Sequence, residues 1–216
     1  MDFSLITDNL PFLLQGAAMT VRITVLSLVF GILLGTLVAL ARLSPLRWLS
    51  ALALTYIELV RGTPLLVQIF LIFFGLPQLL ERPINEFLAG VIAFSINSSA
   101  YVAEIVRAGI QGVPRGQSEA SLSLGFSPTA TLQHIVLPQA FTRVLPPLVN
   151  EAISLLKNSS LLSAISIVEL TRSGQLVASR TYRPFEMYLA VSVLYLIMTL
   201  LLSFVSHRLE ARWRIR

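Results

Sequence analysis

Between residues 23 and 41 the chain passes nineteen positions without an Asp, Glu, Lys or Arg, and 62–80, 87–103 and 187–206 are equally free of charge. Each stretch comes close to the roughly 20 apolar residues that a helix needs to cross the hydrocarbon of a bilayer. A further region, 144–168, is as long and as apolar but contains Glu151 and Lys157, charges that require a partner or a water-filled cavity at that depth. The pattern predicts an all-α polytopic membrane protein with about five transmembrane helices, a single domain over residues 1–216.

Composition agrees: 55% of residues are hydrophobic and 12% charged, against roughly 45–50% and about 25% in soluble domains. The formal net charge of +5 does not point to nucleic acid, because the basic residues gather beside apolar runs instead of forming an exposed polar face. They read as a topology signal. Arg42, Arg47, Arg107, Arg115, Arg143, Arg208, Arg212, Arg214 and Arg216 fall on one side of the predicted spans, and Arg82, Arg172, Arg180 and Arg183 on the other. Nine against four places the 119–138 loop and the C-terminus in the cytoplasm and the N-terminus outside. Residues 1–10 carry Asp2 and Asp8 and no basic cluster, unlike a cleaved signal peptide. The absence of cysteine excludes disulfides and thiolate metal sites, and two distant histidines, His134 and His207, make neither a metal cluster nor a catalytic constellation.

Local signals refine the helices. Gly31 and Gly35 form a GxxxG spacing, either a close helix contact or a tolerated membrane glycine pair. Thr63-Pro64 predicts a capped start to the second span, Glu58 and Arg61 an i, i+3 ion pair just before it, and Pro77 a kink or stop near its end. Pro146-Pro147 predicts an opened helix or unpaired backbone carbonyls early in the fourth span, and Glu104 and Arg107 an ion pair at the end of the third.

Residues 115–138 differ from everything around them. Ser118 is a cap candidate, Glu119 suits a positive helix end, Gly125 supplies a left-handed stop, Ser127-Pro128 starts a second helix and Pro138 bounds it. The reading is a cytoplasmic helix-turn-helix loop. From 118 to 138 the only formal charge is Glu119, so the loop has nothing basic to hold anionic lipid and fits a protein groove better.

The spacing Glu119-Ala120-Ser121, Gly125, Ile135, Leu137-Pro138 resembles the EAA signature of the permease subunits of ABC importers, with Ser121 standing where a third alanine is usual. The segments 56–66 and 99–111 are similar to the polar amino acid branch of that family, and the likeness extends over nearly the whole chain. The resemblance implies a bacterial plasma membrane, pairing with a second permease as a homo- or heterodimer, an extracytoplasmic substrate-binding protein, and an ABC ATPase held under the loop. Glu119, Ala120, Gly125, Ile135, Leu137 and Pro138 then belong to the coupling element. The chain lacks a GxxxxGK[ST] phosphate loop, so ATP and Mg are expected on the partner subunit and no catalytic residue or cofactor in this one.

Polar residues inside spans are the candidate substrate contacts. Asn97, Tyr101 and Glu104 share one helical face at i, i+4 and i+7, with Ser98 and Ser99 beside them; Asn150, Ser154 and Lys157 repeat the spacing, with Glu151 adjacent. Two polar stripes facing one another across a cavity are expected. Glu151 is the choice for an ammonium or guanidinium, since a buried carboxylate is costly until a cation joins it. Neutralisation by Lys157 is the rival, but i, i+6 puts the two on different faces of one helix. The functional reading is alternating-access import of polar amino acids, with basic amino acids or glutamine the best fit to Glu151. The alternative is a secondary transporter or channel without an ATPase, which predicts repeated halves or ion-coordinating broken helices that the sequence does not display.

Overall fold

A computed structural model describes residues 4–213, so Arg214 and Arg216 lie outside the described residues, as do the side chains of His207 and Arg212. Three helices are long and apolar enough to cross a membrane alone: α1 (Ser4–Leu43), α5 (Glu86–Gln111) and α10 (Pro184–Trp213). Two bent pairs bring the number to five: α2 (Arg47–Arg61) with the stretch Leu65–Leu80, and Pro128–Ile165 with α9 (Leu170–Thr181). The described residues contain no strand.

Helix α1 starts well before the uncharged run. Its 40 residues extend about 60 Å at 1.5 Å per residue, twice the hydrocarbon thickness of about 30 Å, so it is longer than a single crossing needs. It lies along α5 in the most extensive helix contact of the fold, and the two glycines are the reason. A methyl group on Gly31 would sit 2.8 Å from Ser98 Cβ, and one on Gly35 2.6 Å from the Ser99 carbonyl oxygen. The GxxxG spacing is therefore a close contact, in which the missing side chains let two backbones approach. Gly35→Ala should cost about 1–3 kcal/mol through overpacking and lower the thermal unfolding midpoint in detergent. Gly75→Ala is the control, since nothing lies within 4 Å of its added carbon.

The second span departs from the expected straight run over 62–80. It turns through 101° between Arg61 and Leu65, because Pro64 has no N–H to continue the ladder and disfavours helical geometry at Thr63. Thr63 does not cap the next helix: its hydroxyl donates back to the Leu59 carbonyl at 3.0 Å, and α3 (Leu65–Phe70) begins after Pro64 without a side-chain cap. Gln68 closes the bend instead. Its amide nitrogen reaches the carbonyl oxygens of Val60 (2.6 Å) and Thr63 (3.1 Å) and the Thr63 hydroxyl (2.8 Å). A π turn, Leu71–Gly75, then absorbs Pro77 at the start of α4 (Leu76–Leu80).

Helix α6 (Arg115–Ser123) begins after Pro114, so Ser118 lies inside it and not at its cap. Gly125 takes φ +84°, and the Phe126 N–H returns to the Ser121 carbonyl at 3.2 Å, closing the helix end. Ser127 caps α7 (Pro128–Thr131) by accepting the Ala130 N–H at 3.2 Å. Pro138 does not end this second helix. A π turn, Leu132–Val136, carries the Leu137 N–H to the Leu132 carbonyl five residues back, and the chain continues as α8 (Leu137–Asn158). Pro146-Pro147 do not open α8; the other expected outcome holds, because the prolines have no N–H to offer the carbonyls of Thr142 and Arg143. After a 3-10 segment, Ser159–Ile165, and a left-handed Ser166 (φ 66°), α9 leaves at 50°. An apolar cluster of Ile23, Ile69, Phe94, Leu155, Leu162 and Ile165 fills the space where these elements meet.

Candidate functional site

Helices α5 and α8 enclose a groove of about 480 Å³ whose polar lining is Arg61, Tyr101, Glu104, Arg143 and Glu151, with Pro147 between the last two. A glycine on α5 lets α8 come close: a methyl on Gly109 would strike Val144. The groove follows α8 from Arg143 to Glu151. One turn further, Leu155 is 1% exposed within the apolar cluster, and the groove ends there.

Its charges differ in how they are held. Glu104 is clamped by Arg107, which donates from Nε at 3.0 Å and from Nη2 at 2.7 Å, a two-point pair of the kind that fixes both side chains. Arg107 Nη1 also donates to Gln111 Oε1. The Arg61 guanidinium lies over the Tyr101 ring, 5.3 Å from its centroid. Glu58 and Arg61 therefore do not pair: α2 ends at Arg61, and the guanidinium leaves that helix face for the ring on α5. Among the described residues Glu151 makes no ion pair, with Lys157 or with any other base. It is half-buried, and its polar neighbour is the Ser98 hydroxyl, which is fully buried and completes no well-formed hydrogen bond.

The two expected polar stripes meet only in part. Tyr101, Glu104 and Glu151 share the groove, and Ser98 stands behind Glu151. Asn97 does not line it: the side chain is buried and donates to Gln68 Oε1 at 3.0 Å, bracing the bend between α2 and α3. Asn150 and Ser154 are exposed on α8 and also lie off the groove lining. Ser99 bonds the Tyr56 hydroxyl at 2.5 Å. Arg61, Arg143 and Gln68 are the additions that sequence reading assigns elsewhere or passes over. For Gln68 one signal exists, an isolated amide inside an apolar run four residues after a proline.

At the far end of α8 stands a foot made of α6, the Gly125 turn and α7. Glu119 and Ala120 are exposed on it, and so are Leu122, Leu124, Phe126, Leu132 and Leu137, Leu124 to 79%. Pro138 is exposed and Ile135 half-buried. Ser121 is buried and its hydroxyl lies 3.0 Å from that of Thr131, joining the two short helices across the turn. Val113, Val136 and Ala140 pack the foot onto the ends of α5 and α8. His134 places Nδ1 3.0 Å from the Ala130 carbonyl, within its own helix.

The chain is 42% identical over 215 residues to the glutamine transport system permease protein GlnP of Escherichia coli (strain K12), covering 99% of this chain and 98% of that protein. It is 37% identical to the arginine transport system permease protein ArtQ of Bacillus subtilis (strain 168), over 98% and 97% of the two chains. The L-cystine transport system permease protein TcyB of the same organism is 42% identical, over 94% and 86%. Among solved structures, an amino acid ABC transporter crystallised with histidines superposes with a TM-score of 0.93 at 43% identity, over 98% of this chain and 99% of that one. The MetNI methionine ABC transporter, at 20% identity and a TM-score of 0.79 over 94% and 96%, shares the fold. The family described as binding-protein-dependent transport system inner membrane component matches residues 31–215. With this match, and with relatives alike from end to end, the chain belongs to that family of multi-pass inner membrane permeases.

Proposed function

We propose that this chain is the permease subunit of an ATP-driven importer that moves polar amino acids through the groove between α5 and α8 by alternating access. The observation that carries the reading is mechanical: residues 128–158 form one unbroken helix from the exposed apolar foot to the groove wall that holds Glu151. A push on the foot is therefore a displacement of that wall, since a packed helix moves as a body. An ABC ATPase, which supplies the ATP and Mg and carries out the hydrolysis, takes the foot in a groove through Leu124 and its apolar neighbours. Glu119, Ala120, Gly125, Ile135, Leu137 and Pro138 form the coupling element. A second permease, identical or related, completes the path, and a loaded binding protein docks outside, with the N-terminus on that side and the C-terminus in the cytoplasm. Large exposed side chains on α1 and α10, among them Leu33, Leu37, Leu200 and Phe204, meet lipid or the second subunit.

Within the groove, Glu151 receives the substrate ammonium and Tyr101 contributes a ring and hydroxyl. Ser98 supports the carboxylate from behind. Asn97 acts through Gln68 on the bend, and Asn150 and Ser154 face outward to meet the second subunit's side of the path. Relatives carry names for glutamine, arginine and cystine transport, and glutamine or a basic amino acid is the substrate proposed here. The test is to purify the assembled complex with its binding protein and measure ATPase stimulation by a panel of amino acids. Stimulation of at least severalfold by one polar amino acid is expected. A chain that accumulates its cargo alone in lipid, with no ATPase present, would falsify the reading.

A further inference from the structure

The break between α8 and α9 is held by more polar contacts than capping requires. A helix start leaves four N–H groups without helical partners, and here all four find acceptors. Glu169 N donates to the Ile167 carbonyl at 3.0 Å, Leu170 N to Thr20 Oγ1 of α1 at 3.3 Å, Thr171 N to Glu169 Oε2 at 2.9 Å and Arg172 N to Glu169 Oε1 at 2.7 Å. Glu169 is fully buried, an expensive place for a carboxylate when an uncharged Ser or Asn would cap as well.

Tyr195 of α10 gives this carboxylate a further role. Its hydroxyl donates to Glu169 Oε2 at 2.8 Å, accepts from Thr171 Oγ1 at 3.1 Å and lies 3.4 Å from Ser159 Oγ. Ser159 stands before the break and Glu169 and Thr171 after it, so one phenol ties both sides of the interruption to α10. Between those anchors runs the 3-10 segment that contributes Leu162 and Ile165 to the apolar cluster ending the groove beyond Glu151. Higher on the same contact, a side chain at Gly174 would collide with Val191, so α9 and α10 are closely seated.

We propose that Tyr195 and Glu169 are positioning residues for transport, a latch that keeps the apolar plug of the 3-10 segment seated over the outer end of the groove until the path opens to the other side. The proposal rests on the groove being the transport path. Neither residue touches substrate. The latch acts by fixing where the plug sits, and a switch to outward access requires the phenol to leave the carboxylate.

The chain contains no cysteine, so Ser163→Cys within the 3-10 segment gives it a single thiol, whose labelling is read on the separated permease band. In right-side-out vesicles carrying the whole complex, a charged, membrane-impermeant maleimide should label this thiol at least threefold faster at rest when Tyr195→Phe is present. The same variant should raise resting ATPase activity and shrink its stimulation by amino acid. Tyr195→Phe keeps the ring and therefore the packing; Thr171→Val gives a second, uncharged route to a weakened latch, and Glu169→Gln a third. Labelling at the unsubstituted rate in Tyr195→Phe and Thr171→Val would overturn the proposal, including where Glu169→Gln merely lowers thermal stability, as a plain helix cap would. If the unsubstituted complex shows no amino-acid-stimulated ATPase activity, the importer reading fails separately, and the labelling comparison, which needs no transport, still decides the latch.

Discussion

Leu124→Asp should separate the permease from its ATPase partner, leaving the chain folded and inserted but without uptake. Leu124 is 79% exposed in the turn of the foot, so the isolated chain loses little when it is replaced. The proposed docking buries the same side chain, and full burial of a leucine is worth about 1.5–3 kcal/mol. An aspartate forfeits that and adds the cost of desolvating a charge. The summed loss is at least about 3 kcal/mol, or roughly a hundredfold in affinity at 1.4 kcal/mol per decade. Pull-down of the tagged permease, quantified against ATPase recovered, measures it; Ser123→Ala on the same surface is the control. Glu119→Lys, which reverses the only formal charge between 118 and 138, should lower recovery less. ATPase recovered with Leu124→Asp at unsubstituted stoichiometry, together with normal uptake, would mean that the foot is not where the partner binds.

How much of the fold is legible in the sequence depends on how far each feature reaches along the chain. The apolar runs are legible because a bilayer imposes a length, and Gly125 and Ser127-Pro128 because turns and caps are decided by a few adjacent residues. Ion pairing of Glu104 with Arg107 is legible for the same reason. The misreadings cluster at prolines. Pro138 and Pro77 suggest ends or kinks, yet each lies beside a π turn that widens the helix enough to carry the chain onward. Pro64 reads as a start but is also the vertex of a 101° bend; the helix before it, Arg47–Arg61, is passed over in a search for uncharged runs because it carries Arg47, Glu58 and Arg61.

The candidate site is legible in its charges but not in its assignments. Glu151 and Tyr101 are identifiable as polar residues in apolar surroundings. That Asn97 serves Gln68 depends on a contact 29 residues apart in sequence, and that Arg61 turns from Glu58 to Tyr101 depends on where α2 stops. Glu169 and Tyr195, 26 residues apart, lie on different helices, and nothing local in either sequence neighbourhood connects them.

Glu151→Gln should reduce uptake by about ten- to a hundredfold while ATPase docking and complex assembly stay intact. Glu151 is the one acidic group of the groove without a cation: Glu104 is committed to Arg107, whereas Glu151 makes no ion pair among the described residues. A hydrogen bond to a charged group contributes about 1.5–3 kcal/mol, which at 1.4 kcal/mol per decade gives the stated range. Glutamine keeps the shape and the contact with Ser98 but supplies no charge to an arriving ammonium. The loss should therefore appear in uptake at low substrate and in the amino acid concentration that half-stimulates ATPase activity. Glu151→Asp should recover part of the activity, because it restores the charge one methylene short. Asn150→Ala, on the exposed side of α8 and off the groove lining, should be milder. An assembled complex carrying Glu151→Gln with unsubstituted uptake at every substrate concentration would remove Glu151 from the path, because neither folding nor docking could then explain the absence of an effect.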